Sequence, residues 1–99
     1  MHSVKRIEIF ADSVELTKIL KVLEKQGVSS YTVIRNVVRG SVQGDLDVTM
    51  ENDYVIAFCL PDQTKPIVEA VRPILNKFGG SCFISDAQEI RSMQCVASL

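Results

Sequence analysis

Histidine is nearly absent from this chain: one residue in 99, His2, close to the N-terminus. A serine or cysteine nucleophile needs a neighbouring base, so nucleophilic catalysis has little to work with. The 3 cysteines, Cys59, Cys82 and Cys95, are widely spaced and form no C-x-x-C pair. With one histidine among them they do not make a zinc ligand set, and no metal site is expected. A basic excess is also missing, since 11 Lys+Arg against 12 Asp+Glu leave a net charge of -1. Neutralising phosphates along a nucleic acid requires clear positive charge, so no nucleic-acid partner is expected. No apolar run approaches the ~20 residues of a membrane-spanning helix. Residues 1–6, MHSVKR, lack the apolar core of a signal peptide. A cytoplasmic protein without direct membrane insertion, and not an enzyme, is the expectation.

The chain is 46% hydrophobic. Its length fits one domain over residues 1–99, with a modest core. That apolar content exceeds what such a core needs and points to surface covered by other subunits.

Residues 5–10 alternate as a short strand, with Ile7 and Ile9 on one face and Arg6 and Glu8 on the other. Asp12 with Glu15 is an acidic variant of the capping box and opens a helix. Leu16, Ile19, Leu20 and Leu23 recur at helical spacing until Gly27 ends it. Residues 30–39 read as a β-branched second strand. Alternation places Tyr31, Val33, Arg35, Val37 and Arg39 on one face and Thr32, Ile34, Asn36 and Val38 on the other. Residues 40–53 read as a loop or frayed hairpin carrying Asp45, Asp47, Glu51 and Asp53. Residues 54–60 are apolar on both faces, as a central strand should be. A second helix follows Pro61, with Ile67, Val71, Ile74, Leu75 and Phe78 as its stripe. Pro73 lies inside it, where proline costs about 3 kcal/mol and bends the axis. Gly79 and Gly80 end that helix, residues 81–85 form a short fourth strand, and residues 86–99 form a tail.

The order βαββαβ defines an α+β, ferredoxin-like fold: a four-stranded antiparallel sheet with two helices on one face. Its other face carries aromatic and aliphatic side chains and needs a cover, which a cyclic oligomer would supply. Three features could hold an anion. Gly40-Ser41-x-x-Gly44 follows a strand but precedes no helix, so it is neither a P-loop nor a dinucleotide fingerprint. Its amides form either an anion-binding concavity or a plain hairpin bend. Arg35 and Arg39 on an edge strand suit bidentate phosphate recognition, or simply guard the edge; Arg91 poses the same choice. Asp45-x-Asp47 reads as solvated charge or a weak divalent-cation site. Cys59 and Cys82 read as core residues.

In order and spacing these segments resemble the PII signalling family over residues 4–92. Residues 27–33, Gly-Val-Ser-Ser-Tyr-Thr-Val, are similar to the family's Gly-Ile-x-Gly-Met-Thr-Val. Asp62-Gln63 with Val68-Glu69-Ala70 resembles the opening of its second helix. Phe83-Ile84-Ser85-Asp86 with Ile90-Arg91 resembles its fourth strand and the start of its basic C-terminal segment.

The resemblance implies a homotrimer with adenine nucleotides bound between subunits. It also implies a T-loop, here residues 40–53, that docks on a target such as a membrane transporter or an enzyme. Thr32 would contact the adenine beside Ser30 and Tyr31, and Gly40 would sit at the base of the T-loop. Gly79 and Gly80 would lie in the second phosphate-side loop, and Arg91 would reach the phosphates from a neighbouring chain. No resident cofactor is implied; the effector would be AMP, ADP, ATP or cyclic AMP.

Several family features are missing. The loop is short and lacks the modified tyrosine, and Val42 stands where the loop-base glutamine would be, with Gln43 next. The phosphate-binding lysine has only Lys77 nearby, and Ser92 or Met93 replaces the second C-terminal arginine. These changes suit divergent PII-like proteins, including a group that accompanies bicarbonate transporters, though that group's loop arginines and C-terminal cysteine pair are absent. Two other readings stay open: a PII-like trimer that acts by protein contacts alone, and a metal-related trimer resembling the CutA proteins.

Overall fold

The computed structural model describes residues 1–40 and 46–90, except for the side chains of residues 39, 40 and 46–51. The elements are β1 (His2–Asp12), α1 (Leu16–Lys25), β2 (Tyr31–Gly40), β3 (Leu46–Cys59), α2 (Thr64–Phe78) and β4 (Gly80–Glu89), with short 3₁₀ turns opening both helices. The sheet order is β2-β3-β1-β4, antiparallel at every step. This is the expected ferredoxin-like arrangement, with β1 and β3 in the centre.

Alternation decides which face each strand buries. Ile7, Ile9 and Ala11 of β1 lie opposite Ala57, Val55 and Asp53 of β3. Their apolar members meet Ile19 and Leu23 of α1 and Ile67 and Val71 of α2 in one core cluster. Each fully buried branched side chain contributes about 1.5–3 kcal/mol of transfer free energy.

The helix ends follow local chemistry. Asp12 Oδ1 accepts the Val14 N–H at 2.9 Å, half of the expected capping box. Glu15 is turned inward instead and pairs with Lys18 at 3.1 Å. Gly27 sits at φ +83°, and the Val28 N–H returns to the Leu23 carbonyl at 3.0 Å. Gln63 links the two helices: its Oε1 accepts the Leu60 N–H at 2.7 Å, and its Nε2 donates to the Gln26 carbonyl at 3.2 Å. α2 continues through Pro73, as the apolar stripe requires.

Three expectations narrow or change. The segment expected as a loop or frayed hairpin, 40–53, takes the hairpin form: residues 46–53 belong to β3, with Arg39 opposite Asp47 and Gly40 opposite Leu46, and residues 41–45 lie outside the described residues. Val48 and Thr49 are β-branched and favour extended backbone. β4 runs to Glu89, so residues 86–89, expected in the tail, belong to the sheet. They pair with residues 2–5 of β1, and Lys5 forms an ion pair with Asp86.

The third change concerns β2. Ile34 lies opposite Tyr54 and Val37 opposite Asn52, so Arg35 and Asn36 together face one β3 residue, Asp53. This is a β-bulge, and Asn36 takes φ +59° within it, a conformation asparagine tolerates better than most residues. Val37 therefore joins the face of Ile34 rather than that of Val33. A second register shift separates Val37 from Arg39, so the shared face expected for Arg35 and Arg39 does not follow.

Candidate functional site

The strand register brings one row of residues across the whole sheet. Gly80 of β4 lies opposite Ala11 of β1, Ala11 opposite Asp53 of β3, and Asp53 faces the Arg35–Asn36 bulge of β2. Three strand spacings of about 4.8 Å make the row ~14 Å across. The turn at Gly79 and Gly80, Arg35 and the base of the β2–β3 hairpin therefore share one end of the sheet.

Glycine is required in that turn for two reasons. Gly79 has φ +82° and Gly80 φ +132°. A Cβ on Gly80 would also stand 2.5 Å from the Phe10 carbonyl oxygen and 2.8 Å from Leu75 Cδ2. Beside the turn, a groove of about 270 Å³ runs between α2 and β4, lined by Arg72, Leu75, Asn76, Gly80 and Cys82 among others. Arg72 makes no ion pair among the described residues and was not singled out by the sequence. Its place on the outer side of an amphipathic helix gave no signal. Lys77, the nearest lysine to the turn in sequence, lies with its ammonium 5.3 Å from the Phe78 ring centre.

Asp53 is the second residue the sequence concealed. Counted among the acidic residues of a loop, it is in fact buried, with 1% exposure. Its Oδ1 accepts the Asn36 N–H at 3.2 Å, and its Oδ2 lies 3.7 Å from Arg35 Nε. The Arg35 side chain is itself 65% exposed, so its guanidinium is anchored at one side and open to solvent at the other.

The other expected site residues lie elsewhere. Tyr31 pairs with Ala57, opposite Ile7, and Thr32 pairs with Ile56, opposite Glu8. They stand three to four residues from Arg35, ~10–13 Å along the strand. Ser30 is exposed just before β2. Gly40 is placed by its backbone pairing alone. The side chain of Arg39 and all of Arg91 lie outside the described residues, as do Asp45 and Cys95. β4, which leads toward Arg91, ends with Glu89 opposite His2, at the far end of the sheet from Gly80.

Among the described residues, nothing covers the helix-free face. Tyr54 donates to Glu8 Oε2 at 2.6 Å, and Arg6 lies 3.0 Å from Glu8 Oε1. The Tyr54 hydroxyl, and next the Glu8 charge, push the Arg6 guanidinium pKa above its ordinary value. Around this polar centre Phe10 stacks on Tyr54 at 4.5 Å and meets Phe83 edge-on at 6.4 Å. Phe83, Ile34 and Phe58 are exposed.

Among the described residues, no cluster of three or more His, Cys, Asp or Glu side chains could hold a metal ion. No helix among them is long and apolar enough to cross a membrane. The described thiols are protected rather than reactive. Burial pushes the Cys82 thiol pKa up, and burial, only partly offset by the Thr64 hydroxyl, does the same to Cys59. Thiolate is the reacting species. At pH 8, iodoacetamide is therefore expected to label Cys59 and Cys82 at least about tenfold more slowly than free cysteine. Peptide mapping of the native protein checks this, with the urea-unfolded chain as the reference.

Comparison with known proteins agrees with this fold. The structure is similar to CPII, a PII-like nitrogen regulatory protein of Thiomonas intermedia bound to ADP, AMP and bicarbonate, at 21% identity, a TM-score of 0.79 and 91% coverage of each chain. It is similar to a putative PII-like signaling protein of Thermus thermophilus at 14% identity, a TM-score of 0.70 and 86% coverage of each chain. It is also similar to B. subtilis GlnK in complex with ATP, at 18% identity and a TM-score of 0.68, covering 86% of this chain and 82% of GlnK. No curated protein matches the chain by sequence. The family model described as nitrogen regulatory protein P-II matches residues 4–94. Nearly the whole chain, from the first core strand to just past β4, thus carries one family pattern, and the protein belongs to the P-II family of regulators.

Proposed function

We propose that this protein is a non-enzymatic, trimeric regulator that binds an adenine nucleotide between subunits and signals through the β2–β3 hairpin to a partner such as a membrane transporter. The observation that carries the reading is the row joining Gly79–Gly80 and Arg35 at the base of that hairpin. The turn offers close backbone approach, Arg35 offers an exposed fork for phosphate oxygens, and both adjoin the segment that would move. Thr32, with Ser30 and Tyr31, supplies the adenine contact, and Arg39 and Gly40 continue the phosphate side toward the hairpin tip. Similar structures with ADP and AMP or with ATP lend support. Within one protomer β4 carries the chain away from Gly80, ~30 Å over nine residues. This direction is compatible with the role the resemblance implies for Arg91, at the site of a neighbouring protomer, in which case the site needs the trimer. The apolar helix-free face gives the trimer its contact surface.

The nucleotide acts by population shift, binding one hairpin arrangement better than the other. Calorimetric titration of the trimer with AMP, ADP, ATP and cyclic AMP tests this. Saturable heat is expected with at least one of them, accompanied by a rise in melting temperature. No heat with any nucleotide overturns it. That result would favour the second reading, a trimer acting only by protein contacts, for which the negative Asp53 at the centre of the row is the supporting observation.

A further inference from the structure

We propose that Asp53 is the positioning residue of this site. In the free protein its buried carboxylate holds Arg35 and the Asn36 bulge together, and an anionic group of the effector competes with it for Arg35. The inference rests on the nucleotide-binding reading and names the coupling within it.

The geometry is that of a shared cation. Arg35 Nε lies 3.7 Å from Asp53 Oδ2, longer than a hydrogen bond, and Arg35 makes no other ion pair among the described residues. Its remaining N–H donors face solvent, where a phosphate can engage them bidentately. Such a ligand draws the guanidinium outward from a carboxylate that cannot follow, because Asp53 is 1% exposed and its Oδ1 is tied to the Asn36 backbone. Without Arg35, the carboxylate keeps one N–H donor among the described residues and loses its counter-charge there. A buried carboxylate in that state is unfavourable.

The neighbouring structure yields where it is least constrained. Asn36 holds φ +59°, β2 is an edge strand, and the register shifts on both sides of Val37. Opening the bulge lets water reach Asp53 and lets residues 37–40 shift against β3. Ligand occupancy at the sheet end is thereby passed into the hairpin.

The charge and the hydrogen bond of Asp53 can be separated. Asp53→Asn keeps an acceptor for the Asn36 N–H but removes the competitor for Arg35. With AMP, ADP and ATP as probes, it is expected to bind the wild-type effector about tenfold more tightly, the equivalent of one charge-assisted hydrogen bond regained. Arg35→Gln is expected to weaken binding about tenfold or more. In the wild type, saturation with nucleotide is expected to speed hydrogen exchange of the Asn36 amide about tenfold, and in Asp53→Asn to leave it unchanged. A purely structural role predicts equal or weaker binding by Asp53→Asn, and that result overturns the inference. The wild-type exchange measurement decides the matter even where the variant folds poorly: unchanged Asn36 protection at saturation also overturns it. Absence of binding by the wild type overturns the nucleotide reading and this inference together, whereas binding without these changes overturns this inference alone.

Discussion

Gly80→Ala is expected to destabilise the protein by about 3–5 kcal/mol, measured by urea unfolding. Two costs combine. At φ +132° an L side chain is strained, and the added Cβ meets the Phe10 carbonyl oxygen at 2.5 Å and Leu75 Cδ2 at 2.8 Å. The leucine can rotate away, but the carbonyl belongs to the central strand and cannot move without disturbing the sheet. The neighbouring glycine gives the control. Gly79 has φ +82° and ψ 163°, a region essentially reserved for glycine, but open space around it, so Gly79→Ala carries the conformational cost alone, about 1–3 kcal/mol. Equal effects of the two variants would overturn the assignment of close packing at Gly80. The contrast also matters for function, because a loss of nucleotide binding in Gly79→Ala can be attributed to the site, whereas in Gly80→Ala it follows from the fold.

Phe83→Glu is expected to convert the proposed trimer to monomers while leaving the protomer folded. Phe83 is 57% exposed and meets Phe10 edge-on, and the new carboxylate stands opposite Glu8, so the isolated protomer loses about 1–2 kcal/mol. In the proposed trimer the same carboxylate would be withdrawn from water on an apolar face. The effective penalty is several kcal/mol per ion, repeated in every protomer. Sedimentation should show the single-chain mass, circular dichroism should keep its native form, and nucleotide heat should vanish if the site spans two protomers as proposed. Phe83→Leu, which keeps the surface apolar, should remain assembled. A Phe83→Glu protein that stays trimeric shows that the helix-free face is not the contact surface.

What the sequence displayed, and what it concealed, follow from the range of the interactions involved. Ile7 and Ile9, or Leu16, Ile19, Leu20 and Leu23, announce a strand and a helix because their periods are local. Gly79 and Gly80 mark their turn for the same reason. The bulge was hidden by a doublet: Val37 and Val38 offer two equally apolar continuations of β2, so a slip by one residue leaves the pattern intact. Asn36 was the one local sign of a left-handed residue. Asp53 reads as one more loop acid until β2 folds across it, and its burial depends on pairing between strands. The length of β4 depends likewise on residues 2–5 at the other end of the chain. Arg35 and Gly80 were each legible as candidates, but their alignment across four strands is a property of the sheet order.

The Asn36 bulge also bears on how copies of this chain can associate. A four-stranded sheet ends in two unpaired edges, and an uninterrupted edge lets molecules add one after another without limit. Here the outer edge of β2 is broken after Ile34, where two residues take the place of one and the strand changes direction. A second copy could match only the first few residues before its hydrogen bonds fell out of step. Edge-to-edge growth into filaments, which needs both edges, is cut short at this one.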